Sequence, residues 1–308
     1  MEAHKLLILI GPTASGKTKL AVALAGALDA EIISADSRQV FSGMDIGTGK
    51  DLKEYQLDGK QIPHHLIDIR NPGEKYNVNE FKEDFYQVFE QLNREGKRGI
   101  LCGGTGMYIH SLLQNHAYTT VPVDPELRER LQLLDITDLR KLLSDYPQAH
   151  TRHADLSSVK RLIRAIEIAA YLSHHALEIP KRPAIDPTVI GLCSDVVKRR
   201  ERIVKRLEMR LEEGMITEVQ GLLDQGVSKD MLTFYGLEYK FIVSYLHHEI
   251  SYADLKIRLG TAICQYAKRQ MTFFRKMEKD GVKIHWVNTD GSADQLIEGI
   301  ISLYQDGS

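Results

Sequence analysis

The octet Gly11-Pro-Thr-Ala-Ser-Gly-Lys17-Thr18 stands directly behind the apolar run Lys5-Leu-Leu-Ile-Leu-Ile10 and opens the helical stretch Thr18–Leu28. The order strand, glycine-rich turn, helix is the context in which this pattern forms a phosphate-binding loop. Backbone N–H groups and the positive end of the helix dipole then converge on one anion. Leu20, Leu24 and Leu28 lie four apart on one helix face, and Gly26 is the only poor helix former among them. In such a loop Gly11, Thr13, Ala14, Ser15 and Gly16 supply the cradle, Lys17 reaches the terminal phosphates, and Thr18 holds Mg²⁺. The loop does not specify which phosphate compound is bound or which bond breaks.

Four β-rich runs, Lys5–Ile10, Glu31–Ser34, Leu66–Ile69 and Gly99–Cys102, alternate with helical patterns in the first third of the chain. One of those patterns is Asn79–Arg94, where Phe81, Phe85, Val88, Phe89 and Leu92 recur at helical spacing. The alternation predicts an α/β fold, a P-loop-type parallel sheet flanked by helices. From Asp124 to about Leu177 the chain reads as helical and charged, with Asp124-Pro125-Glu126 as a capped start and Pro147 as a break. Val189–Leu192 reads as a strand returning to the sheet, long amphipathic helices follow Asp195, and Ile284–Val287 reads as an edge strand. The expected organisation is a core over 1–120, an inserted all-helical domain over 121–180, and a return to the core with C-terminal helices over 181–308.

With 308 residues, 43% hydrophobic and 27% charged, the composition is that of a soluble globular protein. Three cysteines, Cys102, Cys193 and Cys264, are too few and too scattered for a disulfide framework or a zinc site, as expected of a reducing compartment. The six-residue apolar run at the start is too short for a signal-peptide core, and no stretch approaches membrane-spanning length. A cytoplasmic protein is expected.

Ligands of open α/β sheets bind beyond the carboxyl ends of the strands. That rule selects the phosphate loop, Ser34-Ala-Asp-Ser-Arg-Gln39 and Gly103-Gly-Thr-Gly106, all expected to meet in one cleft. Asp36 is the carboxylate best placed to act as a base, although with Ser37 it could also cap the next turn. Thr105 offers a hydroxyl beside a second set of backbone donors. Asp68 is the only rough candidate for the metal-binding aspartate of a nucleotide hydrolase. Basic residues cluster at Lys160, Arg161 and Arg164, along 198–210, and at Lys268, Arg269, Arg275 and Lys276 beside Phe273 and Phe274. In a chain of net charge −2 such local excess points to a polyanion surface or to solvated helix faces. His64-His65 and His174-His175 lack helical metal-ligand spacing and read as structural.

These residues together resemble the tRNA dimethylallyltransferases, also called tRNA isopentenyltransferases, over nearly the whole chain. The resemblance rests on Gly11–Thr18, Glu31–Thr48, Pro63–Ile69, Gly103–Gly106, Arg164-Ala-Ile-Glu167, Glu213–Val219 and Ala267-Lys-Arg-Gln-Met-Thr272. It implies transfer of a dimethylallyl group from its diphosphate to N6 of adenine 37 in tRNAs reading codons that begin with U. The loop would then hold a leaving diphosphate with Mg²⁺, gripped by Lys17, Thr105 and Arg206, and Asp36 would take the N6 proton. Asp36, Ser37, Arg38 and Gln39 match the family's tRNA-contacting segments, as do Lys160, Arg161, Arg164, Gly236, Lys240, Lys268, Arg269, Gln270 and Arg275. The helical insert would embrace the anticodon stem, and the enzyme would work as a monomer. An enzyme prenylating free AMP, ADP or ATP, and an ATP-binding kinase or switch, are the alternative readings.

The chain departs from the family pattern at several positions. Phe41 replaces a usual Tyr, Gly49 a usual Ala and Phe273 a usual Trp. Tyr235-Gly-Leu-Glu-Tyr239 replaces an Ile-Gly-Tyr pattern, His153-Ala-Asp155 replaces a Pro-Asn-Asp turn, and the insert is short. These departures bear on acceptor recognition.

Overall fold

A computed structural model describes residues 3–306 except 115, 116 and 153, so His153 lies outside the described residues. The chain divides into two compact units, Met1–Gln114 with Pro183–Ser308, and Asn115–Arg182. In the first unit β1 (His4–Ile10), α1 (Lys17–Leu28) and β2 (Ala30–Ser34) lead into a small hairpin, β3 (Gln56–Leu57) and β4 (Lys60–Gln61). The short β5 (His64–His65), α2 (Val78–Arg94), β6 (Arg98–Gly103) and α3 (Gly106–Leu113) follow. The second unit carries α4 (Pro125–Gln132), α5 (Ile136–Ser144), α6 (Gln148–Thr151) and α7 (Val159–Leu172). The first unit resumes with β7 (Ile185–Cys193), α8 (Val196–Glu212), α9 (Met215–Asp224), α10 (Lys229–Tyr235) and α11 (Leu237–Leu246). It ends with α12 (Tyr252–Lys279), β8 (Ile284–Asn288) and α13 (Ala293–Asp306).

Six parallel strands in the order β5-β2-β6-β1-β7-β8 form the sheet of the first unit. Central β1 pairs with β6 and β7, and its unbroken apolar run is buried on both faces, as parallel sheets require. Leu6, Ile8 and Ile10 pack into a core with Phe81, Phe85 and Phe89 of α2 and Leu255, Leu259 and Phe274 of α12. Leu7 and Leu9 pack on the other face with Leu20 and Leu24 of α1 and Ile300 and Tyr304 of α13. All five β1 residues are 0% exposed, each contributing roughly 1.5–3 kcal/mol by burial. The spine beneath the phosphate loop is therefore rigid.

The second unit has its own core of Leu131, Leu139, Leu143, Leu162 and Ile166. Its helices start where capping residues permit. The Asp124 carboxylate accepts from Leu127 N–H with Pro125 in the first turn, Asp135 caps α5, and Ser158 caps α7. Pro147 separates α5 from α6.

The expected strand Leu66–Ile69 is corrected by the structure: only His64 and His65 pair with β2. Leu66 (φ 62°) and Asp68 (φ 56°) take left-handed backbone conformations that no strand accommodates. The cause is the fully buried Lys50 ammonium, which is hydrogen-bonded to Phe41 O and Asp45 Oδ1, each at 2.6 Å, and paired with Asp68. Satisfying a buried charge outweighs the β preference of four residues. His65 pairs with Glu31 at 2.6 Å and His64 packs on the Tyr55 ring.

Candidate active site

The carboxyl ends of β1, β2 and β6 open on a cavity of about 580 Å³ in the first unit. Thr13–Lys19, Asp36–Gln39 and Cys102–Gly104 line it, joined by Gly47–Gly49, by Arg202, Arg206 and Arg210 of α8, and by Tyr235–Tyr239, Tyr266 and Gln270. The three loops that the strand-end rule selects converge on this cavity.

In the phosphate loop Ala14 (φ 58°) and Gly16 (φ 80°) are both left-handed, the backbone pattern that turns successive N–H groups toward one point. The Lys17 ammonium donates to Gly11 O at 2.9 Å and Pro12 O at 2.8 Å. Burial draws its pKa down to about 8; the Asp36 carboxylate opposes the shift and Arg206 reinforces it. Burial also pushes the neighbouring Cys102 thiol up to about 11, so it stays protonated at neutral pH. Thr18 lines the cavity, and its hydroxyl has no protein partner among the described residues.

Asp36 follows β2 directly, and one of its oxygens, Oδ1, accepts from Arg38 N–H at 2.9 Å. The cap reading and the carboxylate reading therefore coexist, since Oδ2 remains for another donor. Thr105 is not on the cavity lining. Its Oγ1 accepts from Ser37 N–H at 3.0 Å and lies 3.4 Å from Ser37 Oγ, tying the loop after β6 to the loop after β2. The Thr105 hydroxyl thereby fixes Ser37 at the head of the loop after β2. The two loops can meet because Gly103 has no side chain; a Cβ there would sit 2.2 Å from Ala35 O.

Gln270 occupies a place that the spacing of basic residues does not reveal. Its Oε1 accepts from Thr13 N–H at 2.9 Å and its Nε2 donates to Gly104 O at 3.0 Å, so one buried amide joins the phosphate loop to the glycine turn. Glu218, a second unforeseen anchor, accepts from Asp45, Ile46 and Gly47 N–H at 2.7–2.9 Å and from Tyr239 OH at 3.0 Å. Both lie inside stretches on which the resemblance rests, which was the available signal. Arg206 donates to Gly49 O at 3.2 Å and pairs with Asp51.

Arg38 and Gly236 line the cavity, with the Arg38 guanidinium 5.2 Å over the Phe234 ring. Lys240, Lys268, Arg269 and Arg275 are exposed and lie outside its lining. In the second unit Lys160 and Arg161 are exposed, Arg161 pairing with Asp155 at 2.8 Å. Arg164 is half-buried. Its guanidinium donates to Val121 O at 2.7 Å, Tyr118 O at 3.1 Å and Pro122 O at 3.3 Å, and approaches Glu167 at 3.4 Å. These bonds tie its guanidinium to its own unit. Asp68 faces Lys50 and does not line the cavity.

The sequence departures have local explanations. Phe41 packs on Tyr235 with centroids 4.5 Å apart, while Tyr235 OH donates to Glu74 O at 2.7 Å and accepts from Gly73 N–H at 2.6 Å. Phe273 packs edge-on to His110 and against Gly106, where a Cβ would come within 2.4 Å of its ring.

Fold and cavity define an α/β P-loop enzyme whose phosphate loop shares one cleft with a carboxylate and a wall of arginines. A profile of IPP transferases matches residues 39–277, and one of isopentenyl transferases matches residues 4–71. The chain is 49% identical to tRNA dimethylallyltransferase 2 of Porphyromonas gingivalis over 97% of its own length and 99% of that protein's. It superposes on the tRNA isopentenylpyrophosphate transferase of Bacillus halodurans with a TM-score of 0.73 and 31% identity, covering 98% of this chain and 96% of that one. A eukaryotic dimethylallyltransferase acting on tRNA shares the fold at a TM-score of 0.78 and 20% identity, covering 99% and 81%. The chain belongs to the tRNA dimethylallyltransferase family.

Proposed function

We propose that the enzyme transfers the dimethylallyl group of dimethylallyl diphosphate to N6 of adenine 37 in tRNAs reading codons that begin with U, releasing diphosphate. The convergence of the phosphate loop and the Asp36 carboxylate in one cavity carries this reading. A loop built for phosphates would hold the leaving group, and the carboxylate in the same cavity would take the nucleophile's proton. The allylic C–O bond breaks, its electron pair leaving with the diphosphate, and the N6–C bond forms. Asp36 accepts the N6 proton, a role typically worth on the order of 10²–10⁴ in rate. Lys17 and Arg206 offset the charge that develops on the leaving oxygen. Thr105 adds its hydroxyl to the grip on the diphosphate and holds Ser37, at the start of the loop after β2, in register.

Mg²⁺ suits the donor set. The Thr18 hydroxyl has no protein partner among the described residues, and among them no cluster of three or more His, Cys, Asp or Glu side chains could form an all-protein cage. Magnesium is commonly bound by one or two protein oxygens plus substrate phosphates, and when bound it neutralises diphosphate charge. Exposed Lys160, Arg161, Lys240, Lys268, Arg269 and Arg275 supply the charge for an anticodon stem-loop. We place the enzyme in the cytoplasm as a monomer; among the described residues no helix is long and apolar enough to cross a membrane.

Incubating the protein with labelled dimethylallyl diphosphate, Mg²⁺ and unmodified tRNA should move label into RNA. Label moving instead into AMP or ADP, with tRNA inert, would replace this acceptor; no transfer by folded protein would end the reading.

A further inference from the structure

Arg210 stands one helical turn beyond Arg206 on the cavity side of α8, and nothing in the reaction above uses it. Its side chain is only 9% exposed. Nε donates to Ile46 O at 2.5 Å, and Nη1 reaches Glu238 at 3.4 Å. Nη2 is buried without a hydrogen-bond partner among the described residues. A buried guanidinium nitrogen left without an acceptor is costly, and such exceptions in native proteins call for a reason.

The adjoining backbone supplies a second observation. Gly49, where the family usually has Ala, lies between the two arginines at φ 63°. A Cβ there would sit 2.6 Å from Arg206 Nη2 and 3.6 Å from Arg210 Cζ. Glycine thus leaves both guanidinium groups flanking one small gap in the cavity wall. Each has one carboxylate beside it, Asp51 for Arg206 and Glu238 for Arg210. The pair therefore keeps its charge in check yet retains a free donor.

We propose that Arg210 is a second anion-gripping arginine of this cavity, its Nη2 taking a phosphate oxygen that Arg206 holds from the other side of the Gly49 gap. The proposal rests on the prenyl-transfer reading for its two phosphate sources, the leaving diphosphate and the RNA backbone next to the target base. Planar guanidinium pairs suit phosphate oxygens in either case.

The test compares Arg210→Met and Arg210→Lys, each also combined with Glu238→Gln so that no carboxylate is left unpaired. Binding of inorganic diphosphate with Mg²⁺ is measured by calorimetry, and binding of unmodified tRNA by filter retention. Lysine can still donate to Ile46 O where methionine cannot, so each variant's unfolding midpoint is measured as well, and a purely structural role would make affinity follow that midpoint. Gripping a phosphate instead predicts a Kd about tenfold higher for Met, largely rescued in Lys, which keeps a cation. Loss confined to diphosphate identifies the leaving group as the ligand, and loss confined to tRNA identifies the backbone. Wild-type affinity for both anions in Arg210→Met, or equal losses in Met and Lys, overturns the proposal. If the wild type binds diphosphate but transfers nothing to tRNA, the functional reading falls while the arginine comparison still stands.

Discussion

Arg164 and Arg206 are the same residue type on the same kind of amphipathic helix, yet the two units of the molecule use them in opposite ways. In the second unit Arg164 donates to three carbonyls of the 118–122 segment and approaches Glu167, a carboxylate only 1% exposed that Arg128 also grips through two bonds of 2.7 Å. Burial lowers the pKa of Arg164, as expected of a cation enclosed by protein. In the first unit Arg206 bonds to Gly49 O and Asp51, while its side chain lines the cavity beside Lys17. A positive charge in a sequence thus reports neither role by itself. The neighbours that compete for its donors decide.

The largest test of this contrast lies at the cavity. Asp36→Asn removes the proton acceptor and is expected to lower kcat by about 10²–10⁴ without moving the unfolding midpoint, measured by single-turnover transfer and thermal denaturation. Lys17→Met is expected to cost about 10²–10³ in turnover with little change in tRNA affinity. Equal losses of turnover and RNA binding would show that the loop serves both ligands. In the second unit the direction reverses. Glu167→Ala leaves Arg128 and Arg164 without their shared carboxylate and is expected to cost about 1–3 kcal/mol of stability, read from denaturant unfolding. A large catalytic defect with unchanged stability would break the comparison.

A smaller effect concerns pH. The folded pKa of Lys17, about 8, lies below its ordinary 10.5. The ratio of wild-type to Lys17→Met affinity for inorganic diphosphate, in which the ligand's own titration cancels, is therefore expected to be flat below pH 7 and to fall by up to about tenfold between pH 8 and 9 as the ammonium is lost. Stability moves the other way. Between about pH 8 and 10 the unfolded chain holds more of this proton than the folded one, so this group's contribution to stability rises with pH. The smallest expected change is that of Arg161→Ala. Its pair with Asp155 is solvent-exposed, so stability should shift by less than about 0.5 kcal/mol. Any measurable effect should appear in the salt dependence of tRNA binding.

Those contrasts also mark what a single chain discloses. The phosphate loop, β1, α2, the capped start at Asp124 and the edge strand β8 were legible because each obeys a local rule of period, cap or turn. Leu66–Ile69 reads as a strand by the same rules. It is not one, because Lys50, distant in sequence, buries its ammonium against Asp68. The cleft itself was legible from the strand ends, and Asp36 from its place just after β2. The bonds that Gln270, Glu218 and Arg210 make were not, since their partners lie about 160 to 260 residues away and no spacing records such bonds.

The Gln270 amide has one more consequence. The two groups it joins have opposite polarity, since Thr13 presents an N–H and Gly104 a carbonyl. Only a side chain that is donor and acceptor at the same point can answer both. Glutamate, identical in shape, would turn a lone pair toward Gly104 O, and lysine would turn a proton toward Thr13 N–H. Position 270 is therefore selective for chemical handedness and not for size: a near-perfect steric copy there should uncouple the two loops that an amide holds together.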